Sequence, residues 1–403
     1  MPLDHSLIQN ETFAARRQAA AAEATKRGLQ GLLVWGRGGE TGESVNDVLF
    51  YANHFSAYCG QPPEAGYLTA VEHAGVVIDA SGRGVLVVTG FVSEDAQVDE
   101  VRHSYDLESL LGATLRDLHM DTGAIGLIGS EAFPYPVGSR LRHDLPGLRL
   151  EPADDIALRQ RMRPTDIDLK MLQNAADVGT AIVSAIAKAA APGVMEGEAV
   201  GAGLAEAART PGCIHWAFMI ASGPDAHMFV RSGTPAWSPR YVYRTGDILH
   251  IDAYGFVFGY MYDLMRTVVV GDATAEQERT VVAARDLVAS VAGLLQGDVT
   301  PRQIRAGGLR LAKQAGFDPS GNSTFGHGIN LGWGPPWLQE PIDRPDADVP
   351  IRPPYAFSFE TFLHDGAGNY SAWEDMYVWL PEGVRRMTGS GSPSDLRAPL
   401  WPF

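Results

Sequence analysis

The sequence predicts an α+β protein in which a small N-terminal α/β domain, residues 1–158, precedes a larger domain, residues 159–403. Helical patterns alternate with apolar, strand-like runs through about residue 150, which is typical of a partly parallel sheet covered by helices. The sequence pattern changes near residues 155–165. Basic residues and Pro164 there precede Thr165, a residue suited to cap a helix. We therefore place the boundary between the domains at this point.

The elements of the N-terminal half follow from local patterns. Residues 12–30 are rich in alanine, carry charges at helical spacing and include Gly28 near the end. The run GLLVW at 31–35 suits a buried strand, and AGVVIDASGRGVLVVTG predicts two strands joined by a Ser-Gly turn. Residues 106–121 have a helical pattern, and AIGLIG at 124–129 predicts a further strand.

The second half combines long helices with strands. Apolar residues at helical spacing follow Thr165, and two further helical stretches are predicted at about 196–209 and 275–295. The strand-like runs between and after them are DILHIDAYG, TVVVGD, YAFSFETFL and WEDMYVWLP.

Composition excludes several classes of protein. With 45% apolar and 20% charged residues among 403, the chain is not mostly disordered. A net charge of −16 disfavours binding to nucleic acid or to an anionic membrane. Cys59 and Cys213 are expected to be buried thiols in a reducing compartment. Because we find neither a signal peptide nor an apolar run long enough to span a membrane, we expect a cytoplasmic protein.

Two carboxylates stand in the strongest motif of the chain, GDILHIDAYGFVFGYMYDLMRTVVVG. Asp252 ends an alternating apolar run, and Asp263 lies in a second β-prone run. Gly255 and Gly259 suit a hairpin-like return that brings the two acids together. Close carboxylates in an apolar setting repel each other unless a cation or a proton lies between them. Either residue alone would also suit a turn cap.

Three further residues extend this set. His327 lies between Gly326 and Gly328, while Glu360 and Glu374 interrupt or precede apolar strands. A charged residue in a buried strand usually has a partner or binds a metal, although an edge position facing water and a structural loop histidine are the alternatives. Four carboxylates and one imidazole suit divalent Mn, Fe, Co or Zn. They are enough for two ions that share carboxylates and hold a hydroxide between them.

These motifs resemble the pita-bread metallohydrolases, which include methionine aminopeptidase, prolidase, aminopeptidase P and creatinase. The matching segments are HIDAYGFVFGYMYDLMRTVVVG, FGHGINLG, FSFETF and WEDMYVWLPEGVRRMT, together with RMRPTDIDLKMLQNAADVG and ASGPDAH. The resemblance covers most of residues 160–390, and residues 1–158 resemble more weakly the N-terminal domain of the prolidase, aminopeptidase P and creatinase branch. It implies a pita-bread catalytic domain and a homodimer in which N-terminal residues of one subunit close the other's pocket.

The resemblance also implies a ligand set. Asp252 would bind one metal through both oxygens, Asp263 and Glu374 would bridge two ions, and His327 and Glu360 would complete the second ion. A metal-bound water would then attack a carbonyl carbon.

Two residues receive catalytic roles from the same resemblance. Glu360 would shuttle a proton from the attacking water to the leaving group. His227, in SGPDAHMF, matches the upstream histidine of the family and would hydrogen-bond the substrate or the developing oxyanion at the pocket rim. An ordinary loop histidine is the alternative for His227.

The chain departs from the peptidases at one position. They usually carry a second histidine after the GHGIG-like loop, where this chain reads LGWGPPWLQEP, with Glu340-Pro341 as the remnant and Leu338 and Gln339 before it. We therefore expect Xaa-Pro dipeptides to be poor substrates. Creatinase has lost its metal ligands, whereas this chain keeps all five, which argues against a metal-free reaction.

Aromatic residues are frequent near these motifs. We expect most of them in the core, while a subset could form a cage for a quaternary ammonium or a sulfonium. The residues are Trp216, Phe218, Tyr254, Tyr260, Tyr262, Trp333, Trp337, Tyr370 and Trp373. A cage would suit the lyases of this superfamily that cleave dimethylsulfoniopropionate. The chain reads His250-Ile251-Asp252, however, where that branch has Asp-x-Asp.

The sequence as a whole predicts a metal-dependent hydrolase with two divalent ions. Its substrate would contain a C–N bond in a small amide, a dipeptide or an amino-acid derivative. A metal-dependent lyase acting on a small zwitterion is the alternative enzyme, and a pseudo-peptidase that only binds a ligand is the alternative outside catalysis. Four converging carboxylates argue against the binding module, because without a cation they destabilise the fold.

Overall fold

A computed structural model describes residues 10–37, 46–56, 72–90, 92–231, 233, 235–317, 325–338 and 347–389. The chain divides into two units, Asp4–Arg161 and Met162–Phe403. The boundary proposed from the sequence, between residues 158 and 159, lies just before this division. Among the described residues, no helix has the length and hydropathy needed to cross a membrane.

Five helices and six strands make up the described part of the N-terminal unit. The helices are α1 (Asn10–Lys26), α2 (Asn46–Ala52), α3 (Leu107–Asp117), α4 (Tyr135–Asp144) and α5 (Asp154–Arg161). The strands are β1 (Gly31–Arg37), β2 (His73–Asp79), β3 (Gly84–Val88), β4 (Glu100–His103), β5 (Gly123–Ile128) and β6 (Leu148–Pro152).

The six strands form one mixed sheet in the order β4-β3-β2-β1-β5-β6. The pairs β1–β5, β5–β6 and β3–β4 are parallel, and β1–β2 and β2–β3 are antiparallel. The partly parallel sheet and the β2–β3 hairpin expected from the sequence are therefore confirmed. Leu33, Val77 and Ile125 pack in the core of this unit with Leu111 of α3 and Leu141 of α4.

The C-terminal unit contains four helices and eight strands among its described residues. The helices are α6 (Asp166–Ala189), α7 (Glu196–Arg209), α8 (Ala275–Ala292) and α9 (Pro301–Gln314). The strands are β7 (Cys213–Ser222), β8 (Ile248–Val257), β9 (Tyr260–Val269), β10 (His327–Asn330), β11 (Gly332–Trp337), β12 (Tyr355–His364), β13 (Tyr370–Leu380) and β14 (Gly383–Arg386).

The first helix of this unit begins where its sequence signal predicts. Thr165 is the N-cap of α6, and its backbone N–H donates to Asp168 in a reciprocal capping box. Gly179, in the middle of α6, lets the helix lie directly on β9, since a Cβ there would come within 2.8 Å of Leu264 and Tyr262.

Helix α9 is a correction to the sequence analysis, which predicted only two helical stretches after α6. Gly307 and Gly308 weaken its helical pattern, because glycine costs about 1 kcal/mol relative to alanine in a helix. Tertiary packing requires them, since a Cβ would meet Leu294 at 2.5 Å or Phe325 at 2.8 Å. Thr300 is nevertheless the N-cap of the helix, and its side chain accepts from the backbone N–H of Gln303.

Two sheets of the C-terminal unit meet where the edge strand β9 of one lies beside the inner strand β13 of the other. β7, β8 and β9 form one sheet, and the other has the order β11-β10-β12-β13-β14. β8 and β9 form a hairpin through Phe258 and Gly259, whose φ values of 49° and 83° are typical of a two-residue type I′ turn. The sheets join between β9 and β13, where the backbone N–H of Ala372 donates to Thr267 Oγ1 at 2.7 Å. Strands β7, β10, β11 and β14 were not predicted.

Candidate metal centre

The β8–β9 hairpin brings Asp252 and Asp263 to one face of its sheet. Asp252 pairs with Met265, and Asp263 pairs with Tyr254, two residues along from Asp252. Because side chains two apart in a strand share a face, the two aspartates are diagonal neighbours. The hairpin return expected from the glycines is present, and both carboxylates are buried.

The β12–β13 pair contributes two glutamates in the same way. Glu360 and Glu374 lie directly opposite each other in the antiparallel register, so their side chains project from the same face. Ser358, two residues before Glu360, lies on that face as well, and its hydroxyl donates to Glu374 Oε1 at 2.6 Å. Both glutamates are buried.

His327 opens β10 and points its Nε2 at these acids. Its Nδ1 lies 3.1 Å from the carbonyl oxygen of Gly328. Since a carbonyl only accepts, Nδ1 carries the proton and the Nε2 lone pair is available. Nε2 lies 3.6 Å from Asp263 Oδ2 and 3.8 Å from Glu374 Oε1.

A glycine beside His327 permits this approach. Gly326 has φ 106°, and a Cβ there would lie 1.9 Å from the carbonyl oxygen of Ser358. Any larger residue would therefore push β10 away from β12 and withdraw His327 from the two acids. The glycine neighbours noted in the sequence thus have a steric reason.

The buried acids of the centre raise one another's pKa values. None of the five side chains is more than 9% exposed. Burial, followed by the negative charges of Glu374 and Glu360, raises the pKa of Asp252 well above its ordinary value. Burial raises the pKa values of Asp263 and Glu374 in the same way, with Asp252 and Asp263 respectively as the next causes. Burial lowers the pKa of His327 to about 4, so its imidazole is neutral at pH 7.

The donor set fits a divalent cation. One ligand atom from each of Asp263, His327 and Glu374 lies within 4.8 Å of the others. Two donors about 2.1 Å from one ion at a tetrahedral angle are roughly 3.4 Å apart, close to the separations from His327 Nε2 given above. Asp252 Oδ1 is buried without a hydrogen-bond partner in the described part of the chain. A buried carboxylate oxygen in that state requires a proton or a cation.

His227 lies beside Tyr370 and has no described contact with a candidate ligand. It belongs to a 3₁₀ helix, Gly223–Met228, and its side chain is exposed. Its Nδ1 is 3.0 Å from the carbonyl oxygen of Pro224, and its ring centroid is 6.4 Å from that of Tyr370. Tyr370 precedes Glu374 by four residues on the same face of β13, which is roughly 13 Å of strand.

Aromatic residues line another side of the centre. Trp333 contacts the ring of Tyr254 at 5.3 Å and that of Trp337 at 6.2 Å, while Trp337 contacts His327 at 4.8 Å. These separations are those of rings packed against one another. The side chain of Trp216, and residues Gln339, Glu340 and Pro341, lie outside the described residues.

Two polar contacts at the centre are not predictable from the local sequence pattern. Trp333 Nε1 donates to Asp263 Oδ2 at 2.6 Å, and Ser358 donates to Glu374 as described above. One signal for Trp333 was present, because Trp333 and Trp337 are an even number of residues apart in GWGPPW and therefore share a strand face.

Comparison with known families identifies the unit that carries these residues. The profile of metallopeptidase family M24 matches residues 170–380, which include His227 and all five candidate ligands. The chain belongs to metallopeptidase family M24. It is therefore a metal-dependent hydrolase by family, as the sequence predicted.

Solved structures resemble this M24 protein over nearly its whole length. A Bacillus anthracis Xaa-Pro dipeptidase is 19% identical, with a TM-score of 0.72 over 95% of this chain and 99% of that one. A Pyrococcus horikoshii dipeptidase is 17% identical, with a TM-score of 0.74 over 93% and 97% of the two chains. A prolidase from the same organism is 15% identical, with a TM-score of 0.72 over 94% and 99%. No curated protein matches significantly. The pita-bread fold is thus confirmed.

Proposed function

We propose that this M24 protein hydrolyses a C–N bond in a small amino-acid derivative or dipeptide with the help of two divalent ions. One observation carries the proposal: two antiparallel strand pairs and a third strand aim four buried carboxylates and one neutral imidazole at one another. The residues that would hold the ions are Asp252, Asp263, His327, Glu360 and Glu374. Bound divalent ions would polarise a carbonyl group and make water a nucleophile near neutral pH.

The side chains of this protein supply the remaining steps. Asp263 and Glu374, which lie 3.6 and 3.8 Å from His327 Nε2, would hold an ion together with that imidazole. Glu360, opposite Glu374, would take a proton at its carboxylate and return it to the leaving nitrogen. His227 lies toward the far end of β13 from Glu374, which favours contact with the distal part of a substrate over contact with the oxyanion.

The first experiment is the metal content per chain, measured by elemental analysis on protein purified without chelator or affinity metal. About two ions of Mn, Fe, Co or Zn per chain would support the proposal. If the chain holds no metal after soaking with each of these ions, the five residues do not form a binding site and the proposal fails.

A labelled-water experiment separates hydrolase from lyase chemistry. Hydrolysis of an amide in H₂¹⁸O places one ¹⁸O atom in the carboxylate product, whereas elimination from a sulfonium zwitterion places none. We expect incorporation with small amides and no turnover of the sulfonium compound. A label-free product from the sulfonium compound would favour the lyase.

Proline-containing dipeptides test the specificity. The chain lacks the second histidine of the peptidases. Leu338, the last described residue before the corresponding segment, is fully buried. We therefore expect Gly-Pro and Ala-Pro to be turned over far more slowly than about 10 per second, the median enzyme rate. Steady-state assays with Mn²⁺ would show this, and turnover at ordinary rates would contradict it.

The branch resemblance also supports a homodimer. Light scattering on the purified chain would give its mass in solution, and a monomer at micromolar concentration would contradict this part of the proposal.

A further inference from the structure

The hairpin formed by β10 and β11 presents one face to the metal centre. Along β11, Gly332, Gly334 and Pro336 are buried while Trp333, Pro335 and Trp337 are half-buried, so the two indoles share a face. The indole N–H of Trp333 crosses from β11 to β9 and donates to Asp263 Oδ2 at 2.6 Å. This contact links an element without any acidic residue to one of the candidate ligands.

The carboxylate oxygen that accepts from Trp333 is the one that faces His327. Asp263 Oδ2 lies 3.6 Å from His327 Nε2. A carboxylate oxygen has two lone pairs, and an indole N–H can donate but never accept or ionise in the physiological range. The indole therefore occupies one lone pair and leaves the other for a cation. It also fixes the rotation of the carboxylate about its own axis.

The other two members of the cluster are oriented in the same manner. Ser358 Oγ donates to Glu374 Oε1, the oxygen that lies 3.8 Å from His327 Nε2. The carbonyl oxygen of Gly328 accepts from His327 Nδ1 and so directs Nε2 to the acids. Each of the three clustered ligands thus has a hydrogen bond to a group outside the cluster, and Asp263 receives its bond from Trp333.

Packing holds the indole itself in place. The Trp333 ring is tilted by 53° against Tyr254, which is the strand partner of Asp263, and by 71° against Trp337. The ring of Trp337 contacts His327 but has no hydrogen bond to a ligand among the described contacts. Trp337 therefore provides a matched control with the same size, the same strand face and a neighbouring position.

We propose that Trp333 is a positioning residue of the metal centre, which holds Asp263 in the orientation that binds the cation. The role rests on the proposed function, because it requires a divalent ion at this centre. Hydrogen-bond partners of metal ligands typically change metal affinity by about 10–100-fold when they are removed.

The test compares Trp333→Phe with Trp337→Phe in the full chain. Each protein is stripped with chelator, checked for unchanged thermal unfolding, and titrated with Mn²⁺ by calorimetry. We expect Trp333→Phe to bind Mn²⁺ about 10–100-fold more weakly than the wild type, and Trp337→Phe to bind within a factor of about 3 of it.

A spectroscopic readout tests the contact without activity. In a ¹⁵N spectrum of the indole groups, the N–H signal that disappears in Trp333→Phe should exchange slowly with solvent and shift when diamagnetic Zn²⁺ is added. An equal Mn²⁺ affinity of Trp333→Phe and the wild type overturns the role of Trp333 alone. Equal losses in both variants also overturn it, since they indicate a packing effect. A wild-type chain that binds none of Mn²⁺, Fe²⁺, Co²⁺ and Zn²⁺ overturns the proposed function and the role together.

Discussion

Glu374 and Asp375 are neighbours on β13, yet they face opposite environments. Asp375 is surrounded by donors: Arg266 Nη2 at 2.6 Å, Thr388 Oγ1 at 2.5 Å and Trp373 Nε1 at 2.9 Å. Glu374 receives one hydroxyl from Ser358 and otherwise faces acids and a neutral imidazole. Both side chains are buried. The protein itself compensates the charge of Asp375, whereas the charge of Glu374 needs a cation from outside.

The two environments are connected through Arg266. Its guanidinium lies over the Trp373 ring at 4.4 Å and donates to the backbone carbonyl of Glu374 as well as to Asp375. Arg266 therefore ties β9, which carries Asp263, to β13 from behind the metal centre. The face of β13 that carries Asp375 has its charge balanced without metal. Its contacts with Arg266 hold the opposite face, which carries Glu374, in position.

The largest effect is expected from removing a central acid of the metal face. Asp263→Ala deletes the carboxylate that lies nearest His327, so metal binding and activity should be lost together, by on the order of a thousand-fold or more. Asp286→Ala, on the exposed side of α8, is the control and should retain both. Full metal occupancy in Asp263→Ala would exclude this residue as a ligand.

The next effect concerns stability, for which the substitution of Asp375 should matter more than that of Glu374. Asp375→Asn leaves the largely buried Arg266 without a negative partner, which should cost about 3–5 kcal/mol of unfolding free energy. Glu374→Gln in chelated protein keeps an acceptor for Ser358 and removes a repelling charge, so it should not lower stability. Chemical denaturation with chelator measures both. A comparable loss of unfolding free energy in both variants would show that Glu374 and Asp375 are stabilised in the same way.

The smallest effect is the pH dependence of the chelated protein. Burial and neighbouring acids raise the folded-state pKa of Glu374 above the unfolded value of about 4. A raised pKa means that the protonated acid favours the folded state fully below the unfolded pKa, and that this contribution is lost as pH rises through the folded pKa. Burial lowers the pKa of His327 to about 4, so this histidine has the opposite effect: its contribution to stability increases as pH rises from about 4 to 6.5.

Comparison with Glu374→Gln cancels the contributions of the histidines that do not contact Glu374. Between about pH 5 and pH 8 with chelator, the wild type should lose stability relative to the variant as pH rises. Denaturation curves at the two pH values give the difference. A wild type that gains stability relative to Glu374→Gln over this range would contradict the raised pKa.

Local sequence patterns were sufficient to predict much of the fold and to select the five candidate ligands. The four candidate acids lie in or beside apolar, strand-like runs, where a charge is visible without knowing what lies opposite. His327 was selected through its glycine neighbours. Helix α6 was visible through the cap at Thr165. Helix α9 was not, because the two glycines that its packing requires also weaken its helical signal.

The contacts that the sequence did not reveal cross from one element to another, and two of them join elements that are distant in the chain. An indole in a strand is expected to be apolar, and only the register of β10 and β11 places the N–H of Trp333 on Asp263. The partnership of Arg266 with Asp375 likewise depends on β9 meeting β13. Sequence periodicity gives the face of a strand, but the partner across the interface is a property of the assembled sheets.

The junction of β9 and β13 has a consequence for how the protein withstands unfolding. The candidate ligands come from two sheets, so a bound ion would act as a reversible crosslink between segments that are far apart in the chain. Such a link contributes nothing to the unfolded chain, and its strength grows with the concentration of free ion, by about 2.7 kcal/mol at one hundred times the dissociation constant. The melting temperature would then report on the supply of metal around the protein as much as on its own packing.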